Sequence, residues 1–197
     1  MDTRLLNKGH IIFDIGNVLL TFDPDKAVDA FAPEGMQQNY MKYLINAPAW
    51  QELDRGTLTY EEAAEAVCKN KAMAGEEENV LRFLNSFTEV QEELPAAKAI
   101  GRLKDLGKKL YILSNYHDKA FKRVYAKYPF FKLFDGLCVS CYHHLLKPEK
   151  AFYELLIKQN SIPVHDAVFI DDVLENVQAA QQLGITGIHY KNDIDFE

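Results

Sequence analysis

The stretch AVFIDDVLENVQAAQQLGITGIHY, residues 167–190, decides the fold. It opens on a short apolar run, AVFI, which reads as a strand. LENVQAAQQLG then carries helical spacing and is closed by Gly184, a stop signal. ITGIHY is a further short strand. Strand, helix, glycine and strand in that order mark a parallel sheet with crossover helices.

Working outward, the same order recurs. PAAKAIGRLKDLG (95–107) predicts a helix ending at Gly107, and KKLYILSN (108–115) predicts the strand that follows. LCVS (137–140) reads as a short strand after the FFKLFDG turn. KPEKAFYELLIKQN (147–160) reads as a helix with Pro148 near its first turn. HIIFDIG (10–16) supplies the first strand. From about residue 22 to 91 the pattern is helical throughout, in DKAVDAFA, MQQNYMKYLI, WQELDRG, TYEEAAEAVCKNK and EENVLRFLNSF. Thr59 followed by Glu62 predicts a capping box. The expected architecture is therefore an α/β, Rossmann-like parallel sheet with a helical insertion after the first strand. We delimit the core as residues 1–20 and 92–197, and the insertion as 21–91.

AVFI ends in two adjacent carboxylates, Asp171 and Asp172, which repel one another. Three other strands also end in polar residues: HIIF in Asp14, LYIL in Ser114 and Asn115, LCV in Ser140. In an open parallel sheet, ligands bind beyond the carboxyl ends of the strands, so these endings are expected to converge on one crevice. Lys147 follows the third strand by a short loop and reaches the same place. Two carboxylates facing a third need a cation between them, and hard oxygen ligands suit Mg²⁺. Together these residues make a phosphoryl-transfer set. In such a set Asp14 is expected to attack phosphorus and form an aspartyl-phosphate. The cation neutralises the phosphoryl oxygens. Lys147 adds a positive charge, while Ser114 and Asn115 donate hydrogen bonds to the remaining oxygens.

The chain resembles the haloacid dehalogenase-like hydrolases, most of which are phosphatases. FDIGNVLL (13–20), YILSN (111–115), LLKPE (145–149) and VFIDDVLENVQAAQQLGI (168–185) are similar to that family's four motifs, in order. The resemblance implies Asp14 as nucleophile, Ser114 and Asn115 on the phosphoryl group, and Lys147 beside it. It also implies Asp172 as a metal ligand with Asp171 as its companion, and Asn176 one helical turn on. The insertion resembles the family's small α-helical cap. WQELDRGTLTYEEA (50–63) is especially similar to caps of sugar-1-phosphate phosphatases and of the phosphatase-like domain of epoxide hydrolases.

One departure matters. Phosphatases of this family carry a second Asp two residues after the nucleophile, which protonates the leaving group and later activates water. Here that position is Gly16. The family also uses this residue's carbonyl as a metal ligand, and a glycine keeps one. General acid catalysis is worth roughly two to four orders of magnitude, so its loss favours good leaving groups. Asp23, Asp25, Asn17, His143 and His144 are candidate substitutes by proximity in sequence and none stands out, the two histidines reading first as solvated loop residues. The cap residues Trp50, Asp54 and Arg55 are candidates for choosing the substrate, although Trp50 also reads as packing within the helices.

The leading expectation is a Mg²⁺-dependent phosphatase of a small phosphorylated metabolite, such as a sugar phosphate. A protein that binds phosphate without turnover is the alternative that Gly16 raises. Hydrolysis of 2-haloacids is a third reading, and the double Asp argues against it because that reaction needs no metal. The 197-residue length suits one α/β domain with a small insertion, and nearly half the residues are apolar. A net charge of −7 argues against nucleic acid and anionic membrane as partners. The N-terminus is unlike a signal peptide, no stretch is long enough to span a bilayer, and three cysteines make no disulfide framework, so a cytoplasmic location is expected. Cys138 and Cys141 form a CxxC without a second ligand pair, and Cys138 reads as a small apolar strand residue.

Overall fold

The computed structural model describes residues 2–196. Five strands form one sheet: β1 (His10–Phe13), β2 (Lys109–Ser114), β3 (Gly136–Val139), β4 (Ala167–Asp171) and β5 (Thr186–His189). The helices are α1 (Thr3–Leu6), α2 (Pro24–Phe31), α3 (Gln37–Tyr40), α4 (Pro48–Arg55), α5 (Tyr60–Cys68), α6 (Glu77–Ser86), α7 (Pro95–Asp105), α8 (Asp118–Lys127), α9 (Lys150–Asn160) and α10 (Leu174–Gln182). All strand pairs are parallel, in the order β3-β2-β1-β4-β5. Parallel strands buried on both faces read as unbroken apolar runs, which is why HIIF, LYIL and AVFI look alike in sequence.

Alternation along the strands divides the core. Ile11, Phe13, Leu110, Ile112, Val168 and Ile170 face one layer of helices. Ile12, Tyr111, Leu113, Cys138 and Phe169 face the other, where Phe152, Tyr153 and Leu156 of α9 pack. Cys138 is thus an apolar packing residue, and burial pushes the thiols of Cys138 and Cys141 up to about 12.

Between β1 and α7 the chain is helical, with a π turn at Met41–Ile45 extending α3. It leaves and re-enters the core side by side. Thr21 N donates to Glu92 O at 2.9 Å, and Leu94 N donates to Leu19 O at 2.9 Å. The predicted capping box starts α5: Glu62 N donates to Thr59 Oγ1 at 3.1 Å, and Thr59 N donates to Glu62 Oε2 at 2.8 Å. Gly107 and Gly184 carry φ of +77° and +85° where α7 and α10 end, the left-handed geometry that a glycine allows without steric cost.

Pro148 lies outside the first turn of its helix, since α9 begins at Lys150. Lys147 is held before it by the side chain of Asn115, which accepts from Lys147 N at 2.8 Å and donates to Lys147 O at 3.2 Å.

The helical insertion is fastened to the core at several places, among them Glu61 on Lys119, Leu84 O on Arg123, and the loop after β3. Ser140 Oγ donates to Asp54 O at 2.5 Å, and Arg55 donates to His144 O at 3.0 Å and to Glu149 at 2.6 Å. Gly56, at φ +72°, lies so close to the loop after β3 that an added Cβ would sit 2.2 Å from the Cys141 carbonyl oxygen. Gly56→Ala therefore meets both a backbone clash and a disfavoured φ. It is expected to destabilise the protein by about 2 kcal/mol or more, read by urea denaturation.

Candidate active site

Asp14, Ser114, Asn115, Lys147, Asp171 and Asp172 come from four different segments of sequence and meet at the C-terminal edge of the sheet. Lys147 is at their centre. Its Nζ lies 2.8 Å from Asp14 Oδ1 and 2.6 Å from Asp171 Oδ2, with the side chain only 2% exposed. Asp14 Oδ1 also accepts from Ile15 N at 2.7 Å, so both contacts fall on one oxygen. Burial pushes the Asp14 carboxyl up, to about 7; the Lys147 charge opposes this and the Asp171 charge adds to it.

Asp171 is fully buried and committed. Its Oδ1 accepts from Val173 N at 2.8 Å, and Asn176 Nδ2 donates to both of its oxygens at 3.1 and 3.2 Å. Asp172 is more open. It accepts from Asn17 Nδ2 at 3.1 Å, and burial raises its pKa. One oxygen from each of Asp14, Asp171 and Asp172 falls within 4.8 Å of the others, a set of hard ligands that fits a divalent cation. With one ammonium among three carboxylates the cluster carries surplus negative charge, which such a cation would offset. The Gly16 carbonyl accepts no hydrogen bond from the described residues, and Gly16 lines the same cavity.

Ser114 Oγ is fully buried and makes no well-formed hydrogen bond, although it lies close enough to Asp14 to favour the ionised carboxylate. Asn115 lines the cavity but binds the Lys147 backbone through both side-chain atoms, leaving one amide proton to donate. Ser140 is displaced from the expected convergence. Its hydroxyl accepts from Tyr116 N at 2.9 Å and donates to Asp54 O, so it fastens the insertion and does not line the crevice.

The cavity above these residues measures about 190 Å³. That is small beside ligand clefts of roughly 300–1,000 Å³. Its floor is polar, with Asp14, Gly16, Asn17, Asn115 and Asp172. Its walls are aromatic: Phe22, Trp50 and Phe87 pack together with ring centroids 5.2–6.5 Å apart. Trp50 thus both packs and lines the cavity. Arg55 points away into its ion pair with Glu149 and does not line it. Among the substitutes for the missing acid, Asp23 caps α2, Asp25 lies in its first turn, and His144 contacts the Arg55 carbonyl. Neither aspartate lines the cavity, nor does His143 or His144. Asn17 does, with its amide already given to Asp172.

Two wall residues stand out. Asp54, on the last turn of α4, lines the cavity with its side chain 17% exposed. His117, just before α8, is 2% exposed, and neither ring nitrogen completes a hydrogen bond. Sequence reasoning passed over His117. The one available signal was its place two residues beyond Asn115.

A parallel sheet gathers three carboxylates and a lysine at its strand tips beneath inserted helices, an α/β site fit for a divalent cation and an anionic group. The chain belongs to the haloacid dehalogenase-like hydrolase family, whose model matches residues 9–184. It is 27% identical to the sesquiterpene phosphatase astK of Aspergillus oryzae over 93% of this chain and 90% of that protein. It is 26% identical to a D-ribitol-5-phosphate phosphatase of Bacteroides thetaiotaomicron, over 95% and 94%. A haloacid dehalogenase family enzyme from B. thetaiotaomicron, crystallised with magnesium and inorganic phosphate, shares the fold. Its TM-score is 0.77 at 22% identity, over 95% of this chain and 96% of that one. Among the described residues no helix is long and apolar enough to cross a membrane.

Proposed function

We propose that this chain is a Mg²⁺-dependent phosphatase of a small phosphorylated metabolite and works through an aspartyl-phosphate on Asp14. The observation that carries this reading is the joint placement of three carboxylates and Lys147 at the strand tips. The phosphatases among its relatives and the magnesium and phosphate held by a protein of the same fold support it. Asp14, Asp172 and the Gly16 carbonyl would hold the cation. Asp171, with both oxygens occupied, contributes charge and orients Lys147. When bound there, the cation supplies charge neutralisation for the phosphoryl oxygens. Lys147 draws the phosphoryl group in and keeps Asp14 Oδ1 engaged, leaving Oδ2 as the attacking oxygen. Ser114 Oγ, buried without a partner, donates to a phosphoryl oxygen, and the free amide proton of Asn115 donates to another. The aromatic walls favour a substrate that presents an apolar face to Trp50, and the small volume favours a small one. Residues 21–91 act as the cap that excludes water from the reaction.

Mg²⁺ is expected to stabilise the protein by binding, whether or not a substrate has been found. At a hundredfold excess over its dissociation constant the gain is roughly 2.7 kcal/mol, read as a rise in Tm that EDTA reverses. Phosphate release from p-nitrophenyl phosphate is expected to require Mg²⁺. A Tm indifferent to Mg²⁺, together with turnover that persists in EDTA, overturns the proposal.

A further inference from the structure

Gly16 leaves the reaction without a side chain to protonate the leaving group, and none of the residues near it in sequence fills that place. The structure offers a group from the opposite side of the cavity. In-line displacement puts the leaving group across the phosphorus from the attacking oxygen. Asp14 is on the floor, so the leaving group faces the helical insertion, and the carboxyl that lines the cavity there is Asp54.

Three features fix Asp54 in position. Its carbonyl accepts from Ser140 Oγ, the next residue is paired with Glu149, and Gly56 abuts the Cys141 carbonyl. The side chain is therefore presented by a turn docked rigidly on the core. The surroundings also disfavour its ionisation. It sits at the C-terminal, negative end of α4. Burial, and after it the charge of Asp14, pushes its carboxyl up to about 8, against the pull of Lys147. His117 supplies an independent sign of a polar ligand here. It is packed against Trp50 and Phe87, with ring centroids 4.4 and 5.6 Å away, and neither ring nitrogen completes a well-formed hydrogen bond, although the Trp50 backbone lies near enough to favour the protonated ring slightly. Its Nε2 stops 3.4 Å from Asp54 Oδ1. Burial pushes its pKa down to about 3, so the ring is neutral.

We propose that Asp54 is the general acid and base of the phosphatase reaction, taking the place of the carboxyl absent at position 16, and that His117 orients it. This rests on the phosphatase reading above. In the first step Asp14 Oδ2 forms a bond to phosphorus and the bond to the leaving oxygen breaks. The electron pair of that bond stays on the leaving oxygen, which takes the proton of Asp54 and departs as an alcohol. In the second step Asp54, now a carboxylate, takes a proton from water as the water oxygen bonds to phosphorus. The bond from phosphorus to Asp14 breaks, its electron pair returns to the carboxylate, and inorganic phosphate leaves with Asp54 protonated again.

The test compares the wild-type protein with Asp54→Asn, in Mg²⁺, on a series of aryl phosphates of rising leaving-group basicity followed by stopped flow. For p-nitrophenyl phosphate, whose leaving group needs no proton, the variant is expected to keep its burst of p-nitrophenolate within about tenfold of the wild-type rate. Slow steady-state release follows, because the aspartyl-phosphate accumulates. For phenyl phosphate and alkyl phosphates the burst rate is expected to fall by about 10²–10⁴, so the slope against leaving-group pKa steepens. A loss by one common factor across the series, or no loss, overturns the assignment to Asp54. Asp54→Ser, which is smaller, is read by the same slopes should the asparagine variant melt early. A wild-type protein with no turnover that Asp14→Asn removes marks failure of the phosphatase reading itself, and the proposal falls with it.

Discussion

Asp14→Asn is expected to lower Mg²⁺-dependent phosphate release by about four orders of magnitude or more, since the amide oxygen does not form the acyl-phosphate bond. The change is nearly isosteric, and the carbonyl oxygen keeps the hydrogen bond from Ile15 N. Folding should be spared for a further reason. Burial and the Asp171 charge already disfavour the Asp14 carboxylate, which offsets part of what the lost contact with Lys147 costs. Lys147 retains Asp171 as a partner at 2.6 Å. Thermal melts in EDTA are therefore expected to change little, while the stabilisation by Mg²⁺ shrinks because a ligand is gone. Activity within tenfold of the wild type would remove Asp14 from the role of nucleophile and with it the reading of the whole site.

Lys147→Met carries the second large effect, and it acts on stability as well as on rate. The ammonium is buried between two carboxylates, and breaking such a buried pair costs about 3–5 kcal/mol because the remaining charges are left uncompensated. Without it, Asp14 and Asp171 face each other uncompensated, and the Asp14 pKa, already raised by burial, rises further in the folded state. The folded protein then binds more protons than the unfolded chain above the ordinary carboxylate range. The stability of the variant is accordingly present at low pH and lost as the pH rises through the raised folded pKa of Asp14. Urea denaturation in EDTA should show the variant gaining on the wild type from pH 8 to pH 5. A variant whose deficit is the same at both values would mean that the lysine does not favour ionisation of Asp14. Phosphate release is expected to fall with it, since the point charge that draws in the phosphoryl group is lost.

The sequence by itself determined the sheet, the strand tips that carry Asp14, Ser114, Asp171 and Asp172, and the capping box at Thr59 and Glu62. Each of these is written in local periodicity or in neighbours a few residues apart, and a parallel sheet has one edge at which such tips can meet. Only the tertiary structure decided how the inserted helices sit on that edge. Ser140 and Arg55 read as site residues and turned out to join the two parts, while Asp54 and His117, 63 residues apart, were brought together over the cavity. That docking depends on contacts between residues far apart in the chain, such as Gly56 against the Cys141 carbonyl and Arg55 on Glu149. Contacts of this kind leave no period in the sequence, so although Trp50, Asp54 and Arg55 read alike as cap candidates, only the folded chain separates the two that line the cavity from Arg55 and adds His117 to them.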